Sequence, residues 1–444
     1  MSITIRSKER ESILQSLRIG VTPRLGLQHI QVGRANEVDA LCRDVANVAD
    51  GGASFRMVIG EYGSGKTFFL SVVRAVALEK KLVTVHADLS PDRRIHSTSG
   101  QARSLYSELM KNISTRAKPD GNAMVSVVER FISQARQVAD DRGADTSQVI
   151  REKLSALSEM VGGYDFARVI EQYWHGYVHD NAPLKDAAIR WLRAEYATKT
   201  EANSDLGVRS IISDEGFYDS LKLMSLFVRM AGYDGLLVSL DELVNLYKLH
   251  SAKSRTSNYE QILRMLNDCL QGSASHLGFI LGGTPDFLFD AKKGLYSYEA
   301  LRSRLAGNDF ARKAGVVDYD SPVIELKNLS PEELFILLKN LRHVHASGDP
   351  SQYLVTDEAL HGFLQHCHKT IGSAYFQTPR NTIKAFLDLL SVLDQHRDLN
   401  WESLISSTKI APDAPSDFAN TSDEDEDESV DGEQDKTALS SFTL

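Results

Sequence analysis

The sequence predicts an α/β protein: a mostly parallel sheet with helices on both faces, and a smaller α-helical domain towards its C-terminal end. Three observations carry this. Apolar runs of strand length alternate with segments of 3.6-residue hydrophobic period. A glycine-rich loop, "GEYGSGKTFFL" (60–70), joins the first such run to the first strong helix. From about residue 330 onward the periodic segments are helical only.

In chain order, residues 8–50 read as polar amphipathic helix broken by the turn signal "GVTPRLG". "GGASFRMVIG" then gives glycine punctuation and a first buried strand ending at Gly60, and "KTFFLSVVRAVALEKK" reads as a helix. A second strand follows at "KLVTVHADLS". From about Arg103 to Tyr233 the pattern is helical, broken at "KPDGN", "DRGADTS", "VGGYD" and "DNAPL", with no repeat of fixed length. That stretch is far longer than one βαβ crossover requires, so residues 103–230 are expected to be a helical insertion. Strand character returns at 235–242, 277–288 and 321–329. Beyond it, Ser330, Pro331 and Glu333 spell a capping box with proline at the first helical position. Thr378 and Pro379 predict a second such start. The expected organisation is a helical segment at 1–50, an α/β domain at 51–325, a helical lid at 326–411 and a tail at 412–444.

The net charge of −10 belongs to that tail. Residues 413–436 hold eleven acidic side chains against one lysine, which leaves the rest of the chain near neutral. A run so polar and like-charged is expected to be disordered, serving solubility or mimicking nucleic acid in a basic groove. No apolar run reaches eighteen residues, so no membrane span is expected. The N-terminal twenty residues carry charge where an export signal needs an apolar stretch. Three widely spaced cysteines, Cys42, Cys269 and Cys367, fit a reducing cytoplasm better than a disulfide framework or a zinc cluster.

The glycine loop matches G-x-x-x-x-G-K-[ST] at Gly60, Gly65, Lys66 and Thr67. Its glycines, with Gly63, let backbone N–H groups curve around phosphates, so the stretch Gly60, Glu61, Tyr62, Gly63, Ser64, Gly65, Lys66, Thr67, Phe68 is the expected nucleotide cradle. Lys66 reaches terminal phosphates, Thr67 offers a hydroxyl to Mg²⁺, and the helix start adds its dipole. Hydrolysis needs acids opposite. "LLVSL" (236–240) ends in Asp241 and Glu242, the first to hold Mg²⁺ and the second to polarise the attacking water. Thr284, after the next strand, is placed to orient that water, with capping of the turn into "PDFL" as the competing role. Arg304, ahead of Arg302, sits at the end of a short helix where it can reach a neighbouring subunit's nucleotide in trans. Arg380, in the first turn of a helix of the end domain, can bring its charge down on the nucleotide; a plain salt bridge is the alternative.

These motifs in this order resemble those of AAA+ ATPases. "GEYGSGKT" stands as Walker A, "LLVSLDE" as Walker B, Thr284 as sensor 1, Arg304 in "SRL" as arginine finger, and Arg380 in "TPR" as sensor 2. "VGRANEVDAL" (32–41) resembles the segment that contacts adenine in such proteins, which implies roles for Val32, Gly33 and Arg34. More specifically, "LRIGVTPRLGLQHIQVGRANEVDAL", "ADLSPDRRIHSTSGQARSLYSELMKNIS", "GLLVSLDELVNLYKL" and "LGFILGGTPDFLFDAKKGLYSYEALRSRL" are similar to the ATP-binding protein of BREX (bacteriophage exclusion) systems, from about residue 12 to residue 410. The resemblance implies an ATP- and Mg²⁺-dependent ATPase in bacterial phage defence, acting on DNA or DNA-processing partners, often beside a helicase. The trans arginine in turn implies a homo-oligomer, a ring or filament. The rival expectation is a nucleotide-dependent switch, or a helicase loader in DNA repair, with little intrinsic turnover.

Two further clusters are expected to be structural. His361, His366 and His368 flank Cys367 without a second ligand cluster, and the aromatics Tyr173, Trp174 and Tyr177 read as the packed side of a helix rather than a base-stacking platform.

Overall fold

The chain's alternation of apolar runs and amphipathic segments builds a five-stranded sheet. The strands are β1 (Ala53–Gly60), β2 (Val83–Asp88), β3 (Leu236–Asp241), β4 (Leu277–Gly283) and β5 (Val323–Leu326). A computed structural model describes residues 5–377 and 379–407. The expected acidic tail and Thr378 therefore lie outside the described residues. All four neighbouring pairs run parallel, in the order β2-β3-β4-β1-β5. β3 and β4 are buried along their whole length, as a parallel sheet covered on both faces requires.

Alternation along each strand sends side chains to two different cores. Phe55, Met57, Val85, Val238 and Phe279 face the helices that fill residues 101–230, and sheet and helices share one continuous apolar core. The helices of this stretch thus pack on one face of the sheet. Val58, Leu237, Ile280 and Ile324 face the opposite way, against the helices Ala35–Ala49 and Lys66–Glu79. A third core lies in the C-terminal helices. There Leu338, Leu360, Phe386 and Leu390 are joined by Ile13 and Leu14 of the first helix, Ser7–Arg18.

β5 is shorter than the expected 321–329, and two further boundaries move at prolines. β4 ends at Gly283, not residue 288, because Pro285 cannot donate to a ladder and instead starts the helix Pro285–Phe289. The helix expected to start at Pro379 begins at Arg380, with Pro379 as its N-cap. The capping box at Ser330 forms as expected: its hydroxyl accepts the Glu333 N–H at 3.2 Å, and the Glu333 carboxylate accepts the Ser330 N–H at 2.9 Å. His361 stacks on Phe335 with centroids 4.3 Å apart. Tyr173 is buried, whereas Tyr177 stacks on Trp174 and is exposed. No helix among the described residues is long and apolar enough to cross a membrane.

Candidate functional site

Parallel strands deliver their carboxyl ends to one edge, and ligands of open α/β sheets sit in the crevice outside that edge. Here β1 ends in the glycine loop, β3 in Asp241, and β4 runs between them. Gly65 takes φ +80°, a left-handed conformation that glycine adopts without strain, and a Cβ there would also press on the Arg34 guanidinium at 3.3 Å. The Lys66 ammonium donates to the carbonyls of Gly60 (2.8 Å) and Glu61 (2.9 Å), folded back over the loop. Burial lowers its pKa, while the charges of Asp241, Glu242 and Glu61 oppose that shift.

The loop and the acidic strand end are tied directly. Thr67 Oγ1 donates to Asp241 Oδ2 at 2.7 Å, and Asp241 Oδ1 accepts the Glu242 N–H at 2.8 Å. Asp241 is 6% exposed, so these bonds fix a buried carboxylate. Glu242 adopts φ +57°, rare for a residue with a side chain. That turn puts Glu242 at the rim of a cavity of about 220 Å³, where it keeps contact with solvent. Partial burial, and then the Asp241 charge, hold its carboxyl above the ordinary range.

The cavity is lined by Gly63 to Thr67 and Glu242 and, over most of its surface, by apolar groups, Leu17, Ile30, Val32, Leu337 and Ile383 among them. A cradle of amides and charge beside an apolar slot suits a ligand with an anionic end and a flat apolar body. Tyr62 and Phe68 line it too. Arg380 reaches the glycine loop from the C-terminal helices. Its Nη1 donates to the Tyr62 hydroxyl at 3.2 Å, and its guanidinium carbon lies 5.6 Å from the Tyr62 ring centroid. Among the described residues no cluster of three or more His, Cys, Asp or Glu side chains could hold a metal. A divalent cation here would therefore take Thr67 and Asp241 together with ligand oxygens and water, the usual habit of Mg²⁺.

Other expected residues stand elsewhere. Thr284 does not line the cavity; its hydroxyl accepts the Phe287 N–H at 3.4 Å and caps a helix. Arg304 is exposed, donating to Asn267 Oδ1 and to the Ala300 carbonyl, each at 2.8 Å. Arg302 lies 3.9 Å from Glu299, and neither arginine lines the cavity. Of the adenine-contact segment, Val32 and Arg34 line the cavity, Gly33 packs beside Glu333, and the Arg34 guanidinium grips carbonyls of the glycine loop.

The apolar lining residues Leu17, Ile30, Leu337 and Ile383 escaped the sequence reading, and so did two residues beside Asp241. Asp88, the last residue of β2, pairs in register with Asp241, and burial and the Asp241 charge raise its pKa. Gly282 of β4 passes so close to Asp241 that a Cβ would stand 2.3 Å from Oδ1. The only signal for either was its place at the end of an apolar run.

A family model described as BREX system ATP-binding protein BrxC/D matches residues 5–409 of the chain. No protein of curated function matches it.

Proposed function

The chain belongs to the family of BREX system ATP-binding proteins, and on that premise we propose that it binds ATP with Mg²⁺ at the glycine loop and hydrolyses it, as an AAA+ ATPase of P-loop type. The observation that carries this reading is the 2.7 Å hydrogen bond from Thr67 to Asp241, which joins the phosphate loop to the acidic strand end. Thr67 and Asp241 would hold Mg²⁺, which when bound neutralises phosphate charge. Lys66 would leave the carbonyls of Gly60 and Glu61 for the terminal phosphates. Glu242, its pKa raised by burial and by the Asp241 charge, would orient and polarise the attacking water. The apolar lining of the cavity would take the adenine ring, and Arg380 would link the nucleotide to the C-terminal helices.

The reading extends to a homo-oligomer, a ring or filament, in which Arg304 of one copy completes the site of the next. The exposure of Arg304 supports it, and so does a short helix just beyond, Asp309–Ala314, with no buried residue. Around that helix Phe310 is 85%, Val316 61% and Val317 52% exposed, an apolar patch of the kind that marks a contact surface. DNA, a helicase or another defence protein would be the further partner. Thr284, spent on a helix cap, favours a second reading of the same site: a nucleotide switch with slow turnover.

The test is phosphate release by the wild type and by Arg304→Ala, with and without DNA. Loss of turnover in Arg304→Ala with retained ATP binding supports the shared site. Full turnover in that variant removes the trans arginine, and no wild-type turnover under any condition leaves the switch.

A further inference from the structure

Arg34, expected as an adenine contact, does line the cavity, but its guanidinium is spent on backbone carbonyls. Nη2 donates to the Ser64 carbonyl and, at 3.3 Å, to the Lys327 carbonyl; Nη1 approaches the Gly65 carbonyl at 3.5 Å. The residue reaches these groups from a left-handed backbone, φ +60° and ψ 26°, where a side chain is uncommon. Glu37 and Glu333 flank it and offset its charge.

The consequence follows from the peptide unit. In a planar trans peptide the C=O and the next residue's N–H point in opposite directions. A fork that holds the Ser64 carbonyl therefore aims the Gly65 N–H away from itself, and its approach to the Gly65 carbonyl sets the Lys66 N–H in the same way. Among the described residues neither amide meets a hydrogen-bond acceptor of the protein. Both begin the helix Lys66–Glu79, where free N–H groups form an anion cradle. Lys327, the third anchor, lies in the connector between β5 and the helix Pro331–His345, so the same side chain ties the cradle to the C-terminal helices.

We propose that Arg34 is a positioning residue: by holding the carbonyls of Ser64 and Gly65 it presets the Gly65 and Lys66 amides for the polyphosphate of the nucleotide, and it does not read the base. The assignment rests on the nucleotide reading given above. Lysine is a point donor and cannot replace a planar fork spanning two carbonyls.

The experiment is displacement of a fluorescent ADP analogue from the full-length protein by ADP and by inorganic pyrophosphate, for wild type, Arg34→Ala and Arg34→Lys, with thermal unfolding as a folding check. Loss of a charged hydrogen bond predicts roughly ten- to hundred-fold weaker binding of ADP in Arg34→Ala. Pyrophosphate, which has no base, weakens by the same factor, and Arg34→Lys falls between. A variant that weakens ADP but leaves pyrophosphate unchanged makes Arg34 a base contact and overturns the assignment. Unchanged affinity for both in folded Arg34→Lys overturns it as well. Wild-type protein that takes up neither ligand overturns the nucleotide reading itself, before any substitution is compared.

Discussion

Gly282→Ala is a one-carbon change on a strand that carries no motif residue, yet it strikes the centre of the site. A Cβ there meets Asp241 Oδ1 at 2.3 Å, Asp241 Cγ at 3.1 Å and Leu70 Cδ1 at 3.2 Å. The carboxylate must retreat by about 1 Å to reach ordinary van der Waals separation. It is held on both oxygens, by Thr67 at 2.7 Å and by the Glu242 N–H at 2.8 Å, so the retreat stretches or breaks a charge-assisted bond. Such a bond is worth about 1.5–3 kcal/mol, and overpacking a core costs a similar amount. The variant should lose roughly 2–3 kcal/mol of stability on that basis. It should also lose the part of ATP affinity that depends on Mg²⁺. Gly283→Ala is the control: its Cβ presses on Phe287 at 2.8 Å, away from Asp241, so it destabilises without touching the Mg²⁺ dependence. The assay is thermal unfolding together with ATP titrations in Mg²⁺ and in EDTA. A Gly282→Ala protein with wild-type stability and wild-type Mg²⁺ dependence would refute the reasoning.

Glu242→Gln should abolish turnover and raise the thermal stability of the nucleotide-free protein at neutral pH. The folded state raises the Glu242 pKa, so the ionised side chain costs stability in full above the folded pKa, and that cost falls to nothing as pH drops from there below the unfolded value. The advantage of the variant should therefore shrink on acidification; a pH-independent difference, or a less stable variant at neutral pH, would count against a crowded carboxylate. Phe310→Asp removes an 85% exposed side chain, so unfolding should be unchanged while assembly in ATP, followed by mass photometry, is lost. Unaltered assembly would free that patch from the interface.

The elements of the fold were legible because each rests on local physics. Every strand coincides with an apolar run, and the Ser330 capping box formed as its residues require. Periodicity overran a proline at Pro285, the start expected at Pro379 came one residue later, and β5 stopped short of its apolar run. The glycine loop was legible because cradle, lysine and threonine are contiguous. The rest of the site is assembled by register across chain distance. Asp88 meets Asp241 across the whole helical cover, Gly282 meets it from the next strand, and Arg34 reaches Ser64 from the preceding helix. None of those meetings leaves a trace in a linear pattern. Thr284 shows the reverse case: Thr-Pro is itself a helix-start signal, and that local role is the one its hydroxyl fulfils.

The central claim is that amides, Lys66, Thr67 and Asp241 together grip the phosphates of one nucleotide. It is tested most directly by calorimetric titration of Mg²⁺·ATP into ligand-free wild type and into Lys66→Ala. The account predicts saturable uptake at about one nucleotide per chain by the wild type, and loss of that uptake in the variant. A flat titration of folded wild-type protein, or equal affinity in Lys66→Ala, would contradict it.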